Sequence, residues 1–313
     1  MREFKIDFNK TLKPVAIIYA LIFVVGIILA MPFAFGVDLD INFSGGTKIS
    51  YTYTGELADK DIKSAIDSKL DAKYSLTKST SLAGDTQTFE IALVGKDALS
   101  AEGQEALTKA LTEKFKDNKI AIYNSNSVSP TIAGTFFLKS MVAVIITAIF
   151  VVIYVGIRFR KIGGISAALT ALVALVLDVL VTFFVCVIFR LQIDSNYIAV
   201  VLTMLGYSLN DTIVIYDRIR ENERLNPTME IGDLVNLSVN KVIIRNIVTT
   251  VTTFLAVMTI VVVAELFGLT TLRTFAIPMA FGLVSGAISS IFISGPLWVI
   301  WKRYKAKKKN TKR

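Results

Sequence analysis

The 313-residue sequence contains no histidine. That removes the commonest metal ligand and the one side chain that ordinarily titrates near pH 7, so any proton chemistry falls to carboxylates. There is one cysteine, Cys186. A single thiol makes no internal disulfide and no thiolate cluster, and within an apolar run it reads as a small buried hydrophobe. Charged residues make up only 19% of the chain, too few to cover a soluble protein of this size. No G-x-x-x-x-G-K-[ST] loop is present, so no nucleotide-phosphate cradle is expected. The chain reads as a non-enzyme with no catalytic residues, no metal and no cofactor.

What it has is long apolar runs. A membrane helix needs about 20 mostly apolar residues to cross ~30 Å of hydrocarbon. Six stretches reach or approach that length: 15–35, 137–157, 165–189, 197–216, 247–267 and 275–301. The first follows Arg2, Lys5, Lys10 and Lys13, but its apolar part is too long for a signal-peptide core and reads as a retained anchor. Lys and Arg gather in alternate loops: the N-terminus, 158–161, 218–245 and the tail 302–313, against only Arg190 and Arg273 on the other side. The positive-inside rule then places both termini in the cytoplasm. The insert 36–134 lies outside, with a net charge of −3 against +12 for the rest. The basic tail reads as an anchor on anionic lipid rather than a nucleic-acid binder.

The expected division is span one with its cytoplasmic start (1–35), an external domain (36–134), spans two to six (135–301) with a cytoplasmic loop at 217–245, and the tail (302–313). The segment 229–245, weakly amphipathic, is expected to lie on the membrane face before span five. Within the insert, 47–55 alternates Ile49, Tyr51 and Tyr53 against polar residues, as a strand does. Residues 56–70 and 99–115 carry helical spacing, 72–95 reads as a hairpin around Gly84-Asp85, and 118–130 as a last strand. The order β-α-β-β-α-β is that of a ferredoxin-like α+β unit. The pair Gly45-Gly46 in "NFSGGT" reads by itself as an ordinary turn.

Two carboxylates fall inside apolar runs. Asp211 lies about two-thirds of the way along the fourth span, with Tyr207 and Ser208 one turn before it, Asn210 and Thr212 beside it, and Gly206 allowing close helix approach. Asp178 sits within "ALVALVLDVLVTFF", with Thr182 at i+4. A third polar group is Thr249, Thr250 and their neighbours in span five, followed by Ser285, Ser289 and Ser290 in span six. An intramembrane carboxylate is by default functional, because burying it costs about 2.5–3.5 kcal/mol on insertion scales. Asp211, and after it Asp178, are the candidate proton-relay groups. The bland alternatives are an interhelical clamp and a packing contact, and the hydroxyls read as packing residues.

Taken together these residues resemble the SecF members of the SecD/SecF protein-export family, within the resistance-nodulation-division superfamily. "GYSLNDTIVIYDRIREN" (206–222) is similar to that family's fourth-span signature, including Gly206, Asp217, Arg218, Arg220, Glu221 and Asn222. Phe43, Gly45 and Gly46 match its Gly-Gly motif after span one, and "YVGIRFR" (154–160) and "LDV" (177–179) fall where the family has similar residues. Two departures stand out: Leu177 where the family usually has His, and Asn42 where it commonly has Asp. The resemblance implies a bacterial cytoplasmic-membrane subunit paired with SecD. It would work beside the SecYEG channel and the SecA motor, acting on unfolded exported polypeptide and using the proton gradient with Asp211 as the responsive group. Competing readings are a stand-alone half-transporter of lipid or small molecules, and a scaffold of the translocase.

Overall fold

The computed structural model describes residues 7–32, 34, 36–70, 74–80, 87–95 and 99–311. Among them, six helices are long and apolar enough to cross a membrane. They are α1 (Phe8–Ala30), then α5 (Pro130–Arg158), α6 (Gly164–Ile188), α7 (Ser195–Leu225) and α8 (Ile231–Leu266). The sixth is composite: α9 (Thr270–Ser289), one π-helical turn (Ser290–Ser294) and α10 (Gly295–Thr311). Their outer faces are apolar, as at Ile17, Phe150, Leu255 and Val262, while Asp178, Ser208, Asp211, Thr212, Ser289 and Ser290 are buried between helices. A water-soluble bundle sorts its residues the other way; polar groups turned inward are what a hydrocarbon solvent selects.

Local rules set the helix ends. The first helix stops at Ala30, five residues short of the expected limit, because Met31 precedes Pro32 and is held extended (φ −67°, ψ 144°). Ser129 caps α5, whose first residue is Pro130, so the helix that carries the second apolar run starts at Pro130. The charged run after Asp211 is no separate loop. It continues α7 to Leu225, and Pro227 prevents further propagation. Nor does 229–245 form a separate surface helix: from Ile231 on it is the opening part of the single 36-residue α8. Leu234, Val235, Val239 and Val242 are buried in the bundle, and that tertiary burial overrides a weak amphipathic pattern.

Between α1 and α5 lies a separate α+β domain. It contains α2 (Ile41–Ser44), β1 (Gly46–Tyr53), α3 (Asp59–Asp67), β2 (Tyr74–Thr80), β3 (Gln87–Val94), α4 (Ala101–Lys114) and β4 (Ala121–Val128). The sheet order is β2-β3-β1-β4 and every neighbouring pair is antiparallel. Ile49, Tyr51, Phe89, Ile91 and Leu93 from one sheet face pack on Ile62, Ile66, Leu107 and Leu111 of the helices. Ser100 caps α4 by accepting from Gly103 N–H. The expected Gly84-Asp85 turn lies outside the described residues.

Gly45-Gly46 is more than an ordinary turn. Gly45 has φ +79° and a Cβ there would sit 2.9 Å from Pro130 Cα; Gly46 has φ +137° and its Cβ would sit 2.0 Å from the Leu93 carbonyl oxygen. Only glycine fits where the chain leaves the membrane, enters the sheet and passes the start of α5. Phe43 is buried alongside, against the rings of Phe136 and Phe137 on α5.

Candidate functional site

Asp178 sits at the centre of the bundle, where α6, α7 and α9 meet. It is 1% exposed. Three hydroxyls donate to it: Ser285 to Oδ1 at 2.7 Å, Ser208 to Oδ2 at 2.6 Å and Ser289 to Oδ2 at 2.9 Å. Tyr19 of α1 extends the cage through Ser285, with its hydroxyl 3.0 Å from the serine Oγ. Ser285 and Ser289 of span six therefore hold a carboxylate, correcting their reading as packing residues. Thr182, one turn on, bonds the Val179 carbonyl instead. Gly286 lets α9 come this close: a Cβ there would meet Ser208 Cβ and Oγ at 3.1 Å.

Asp211 is one turn further along α7 from Ser208. It is 2% exposed, and its Oδ2 has no hydrogen-bond partner among the described residues. Its neighbour on α8 is Thr250, whose hydroxyl is turned toward the carboxyl without closing a hydrogen bond of ordinary length and angle among the described residues. The two carboxylates lie on either side of Ser208, which bonds only the first, and they differ in kind: Asp178 holds three hydroxyl donors, whereas Asp211 has the Thr250 hydroxyl alone beside it and an Oδ2 without a bond among the described residues. Of the groups expected around Asp211, Tyr207 turns away to Thr253 (3.0 Å) and the Thr249 carbonyl (3.3 Å). Asn210, Gly206 and Thr249 face outward.

Two separate clusters of hydroxyls lie further toward the basic end of the bundle. Ser290 donates to the Ser208 carbonyl and lies 2.9 Å from Thr212 Oγ1. Ser294 and Thr170 each lie 2.7 Å from the Tyr216 hydroxyl. Ser290 and Ser294, four residues apart, share the face of this segment turned to α7, and the segment is a π turn, a feature that recurs at functional sites. Beyond it the remaining motif residues pair within α7 and, through Arg158 and Asn222, with α5 and α8. Asp217 pairs with Arg158 (3.1 Å) and Arg220 (2.8 Å), Arg218 with Glu221, and buried Asn222 bonds Ser238 (2.8 Å) and Lys241 (3.3 Å).

At the opposite end, the α+β domain is fastened to the loop between the two carboxylate-bearing helices. Leu39 and Ile193 form a parallel bridge, with Asp40 N–H bonded to the Ile193 carbonyl (3.0 Å) and Ile193 N–H to the Asp38 carbonyl (2.7 Å). Next to it, Asp194 caps α7 by accepting from Asn196 and Tyr197 N–H. Lys48 of β1 reaches Glu90 (2.9 Å) and Asp40 (3.6 Å). Burial works against the Lys48 charge, but Glu90, Asp40 and Asp194 together hold its ammonium above its ordinary value. Burial pushes the Asp194 carboxyl up, partly offset by Tyr197, Thr274 and Asn196, with the Asp40 charge adding to the rise.

Sequence reading missed Tyr19, Thr170, Ser294 and Asp194. Tyr19 had a signal, as the one hydroxyl in an otherwise aliphatic stretch of the first run. Ser294 had one too, lying four residues after Ser290 and so on the same helix face.

Fold and site together define a multi-pass helical membrane protein with an α+β domain inserted after the first span and a carboxylate pair in its core. The model of the family described as protein export membrane protein SecD/SecF, C-terminal, matches residues 107–304. The chain is 35% identical to a protein translocase subunit SecF from Synechocystis over 222 residues, 69% of this chain and 67% of the relative. It is 36% identical to the protein translocase subunit SecDF of Bacillus subtilis over 66% of this chain and 27% of that longer one. The crystal structure of SecDF, a translocon-associated membrane protein from Thermus thermophilus, superposes with TM-score 0.77 at 26% identity, over 96% of this chain and 39% of that chain. The chain belongs to the SecD/SecF protein-export family.

Proposed function

We propose that the chain is a SecF-type accessory subunit of the bacterial protein translocase, paired with SecD and driven by the proton gradient. Asp211 is the group that binds and releases the proton, and Asp178 is the clamp that keeps α6, α7 and α9 in register. The observation that carries this is the contrast between them. A carboxylate already holding three donors has little to gain from a proton, whereas a buried carboxylate oxygen without a donor changes its surroundings most when it gains one. Moving one charge through 100 mV is worth ~2.3 kcal/mol, comparable to the ~1–3 kcal/mol that couples two conformations.

The bundle is oriented with its basic end and both termini in the cytoplasm and the α+β domain outside. That domain has the ferredoxin-like plan, supported by its strand order. It takes the emerging polypeptide while SecYEG and SecA supply channel and motor, and no chemistry is catalysed. Motion of α6 and α7 passes to it through the Leu39–Ile193 bridge. SecD is the natural occupant of the outward face carrying Gly206, Asn210 and Thr249, small and polar residues that lipid would not favour; the fused SecDF relatives support this pairing.

The test is export of a preprotein into vesicles holding the full complex, with and without a collapsed gradient. Asp211→Asn is expected to assemble normally and export at a rate that no longer responds to collapse. Asp211→Glu keeps partial response. If Asp211→Asn remains gradient-sensitive, the relay is wrong and the chain is a scaffold.

A further inference from the structure

A second feature lies at the basic end, away from the carboxylates. Where α5 ends, α6 begins and α10 leaves the bundle, there is a cleft of about 840 Å³. Arg160, Lys302 and Lys305 line it, and no carboxylate among the described residues does. None of the three cations has an ion-pair partner among the described residues, whereas neighbouring Arg303 is held by Glu230 at 2.8 Å. Lys302 is fixed with its ammonium 5.0 Å from the ring centre of buried Trp298.

The other walls are apolar and open to the membrane. Ile157 is 65% exposed and Ile165 76% exposed, with Ile153 beside them and Trp301 at the rim. A second basic cleft, between α7 and α8, differs in that Asp217, Glu221 and Glu223 line it too, and Asp217 and Glu221 pair with Arg220 and Arg218, so part of its charge is met from within. The first cleft presents unmet positive charge at one end and hydrocarbon-facing walls at the other, at the level where a helix passes from apolar to basic sequence. An aromatic residue at that rim is typical of the headgroup boundary.

We infer that this cleft is a binding site for an anionic phospholipid, its phosphate between Arg160, Lys302 and Lys305 and one acyl chain along Ile153, Ile157 and Ile165. Basic pockets between spans on the cytoplasmic side take such headgroups, with each cation near the surface contributing roughly a factor of five. Three cations give an expected preference over a zwitterionic lipid of about a hundredfold at low salt. The inference rests on the membrane placement of the bundle and is independent of the proton reading.

The chain has two tryptophans; Trp298 is fully buried and Trp301 borders the cleft. Quenching of tryptophan fluorescence by bromine-labelled acyl chains therefore reads occupancy. The full-length protein in detergent is titrated with brominated phosphatidylglycerol or brominated phosphatidylcholine, with soluble glycerol phosphate as competitor. Phosphatidylglycerol is expected to quench at about a hundredfold lower concentration. Arg160→Gln, Lys302→Gln and Lys305→Gln together should abolish that difference, while Lys13→Gln, Arg224→Gln and Lys308→Gln, which remove equal charge elsewhere, should keep it. Circular dichroism and monodisperse elution check that both variants fold. Equal quenching by the two lipids in the wild type overturns the site, as does equal loss in both triple variants. Full displacement by glycerol phosphate overturns the lipid assignment.

Discussion

The cage around Asp178 makes a quantitative demand. Converting Ser208, Ser285 and Ser289 to alanine removes all three donors at 2.6, 2.7 and 2.9 Å. A hydrogen bond to a charged group contributes about 1.5–3 kcal/mol and a neutral one about 0.5–1.5. The triple variant strands a buried carboxylate and should lose roughly 5 kcal/mol. In an Asp178→Asn background the same three changes remove neutral bonds, and an amide accepts at one oxygen only. The loss there should be about 1–2 kcal/mol, leaving a coupling of roughly 3 kcal/mol. For a bundle of this size 1 kcal/mol moves the midpoint by about 2–4 °C. The triple variant should therefore melt roughly 10–20 °C lower when Asp178 is retained and about 3–6 °C lower in the Asp178→Asn background. The assay is the fraction of purified full-length protein still monodisperse after heating in detergent. Equal losses in the two backgrounds would refute the cage: the serines would then be packing residues and Asp178 would owe its place to something else.

Three further outcomes are expected. Gly46→Ala forces a side chain into φ +137° and against the Leu93 carbonyl; strain and overpacking together should cost the α+β domain about 3–5 kcal/mol, seen as faster proteolysis within 46–128 while the spans stay protected. Leu39→Cys with Ile193→Cys, in a Cys186→Ala background, should crosslink on oxidation because the two are bridge partners. Locking them is expected to suppress gradient-dependent export reversibly; unchanged export would remove this link from the coupling path. Glu230 accepts from Gly232 and Asp233 N–H and pairs with Arg303. Burial opposes its charge, but these donors hold its carboxyl below the usual range. A lowered carboxyl stabilises the fold above its unfolded value and loses that contribution as pH falls through the folded one. Amide exchange at 232–234, corrected for intrinsic rate, should accordingly accelerate on acidification, and Glu230→Gln should exchange fast at every pH.

The six spans, the inserted α+β domain and the two intramembrane carboxylates were legible in the sequence, because apolar length, strand alternation and an isolated charge are local signals. The partition of roles between Asp178 and Asp211 was not, since it depends on donors from other helices. Ser208 lies one turn from Asp211 on the same helix, and sequence spacing assigned it there; only the packing of α6 and α9 around it, close at Gly286, turns it to Asp178. The fate of 229–245 was equally hidden. Its pattern suits a membrane surface or a buried helix face, and burial of Leu234, Val235 and Val239 against the bundle decides between them. Gly45-Gly46 looked like any turn until Leu93 and Pro130, far away in sequence, closed on it. Short-range chemistry thus determined where the chain crosses and where it turns. Which oxygen is caged and which is left free is a matter of helix packing, because a hydrogen bond forms only where donor and acceptor from separate segments come within about 3 Å.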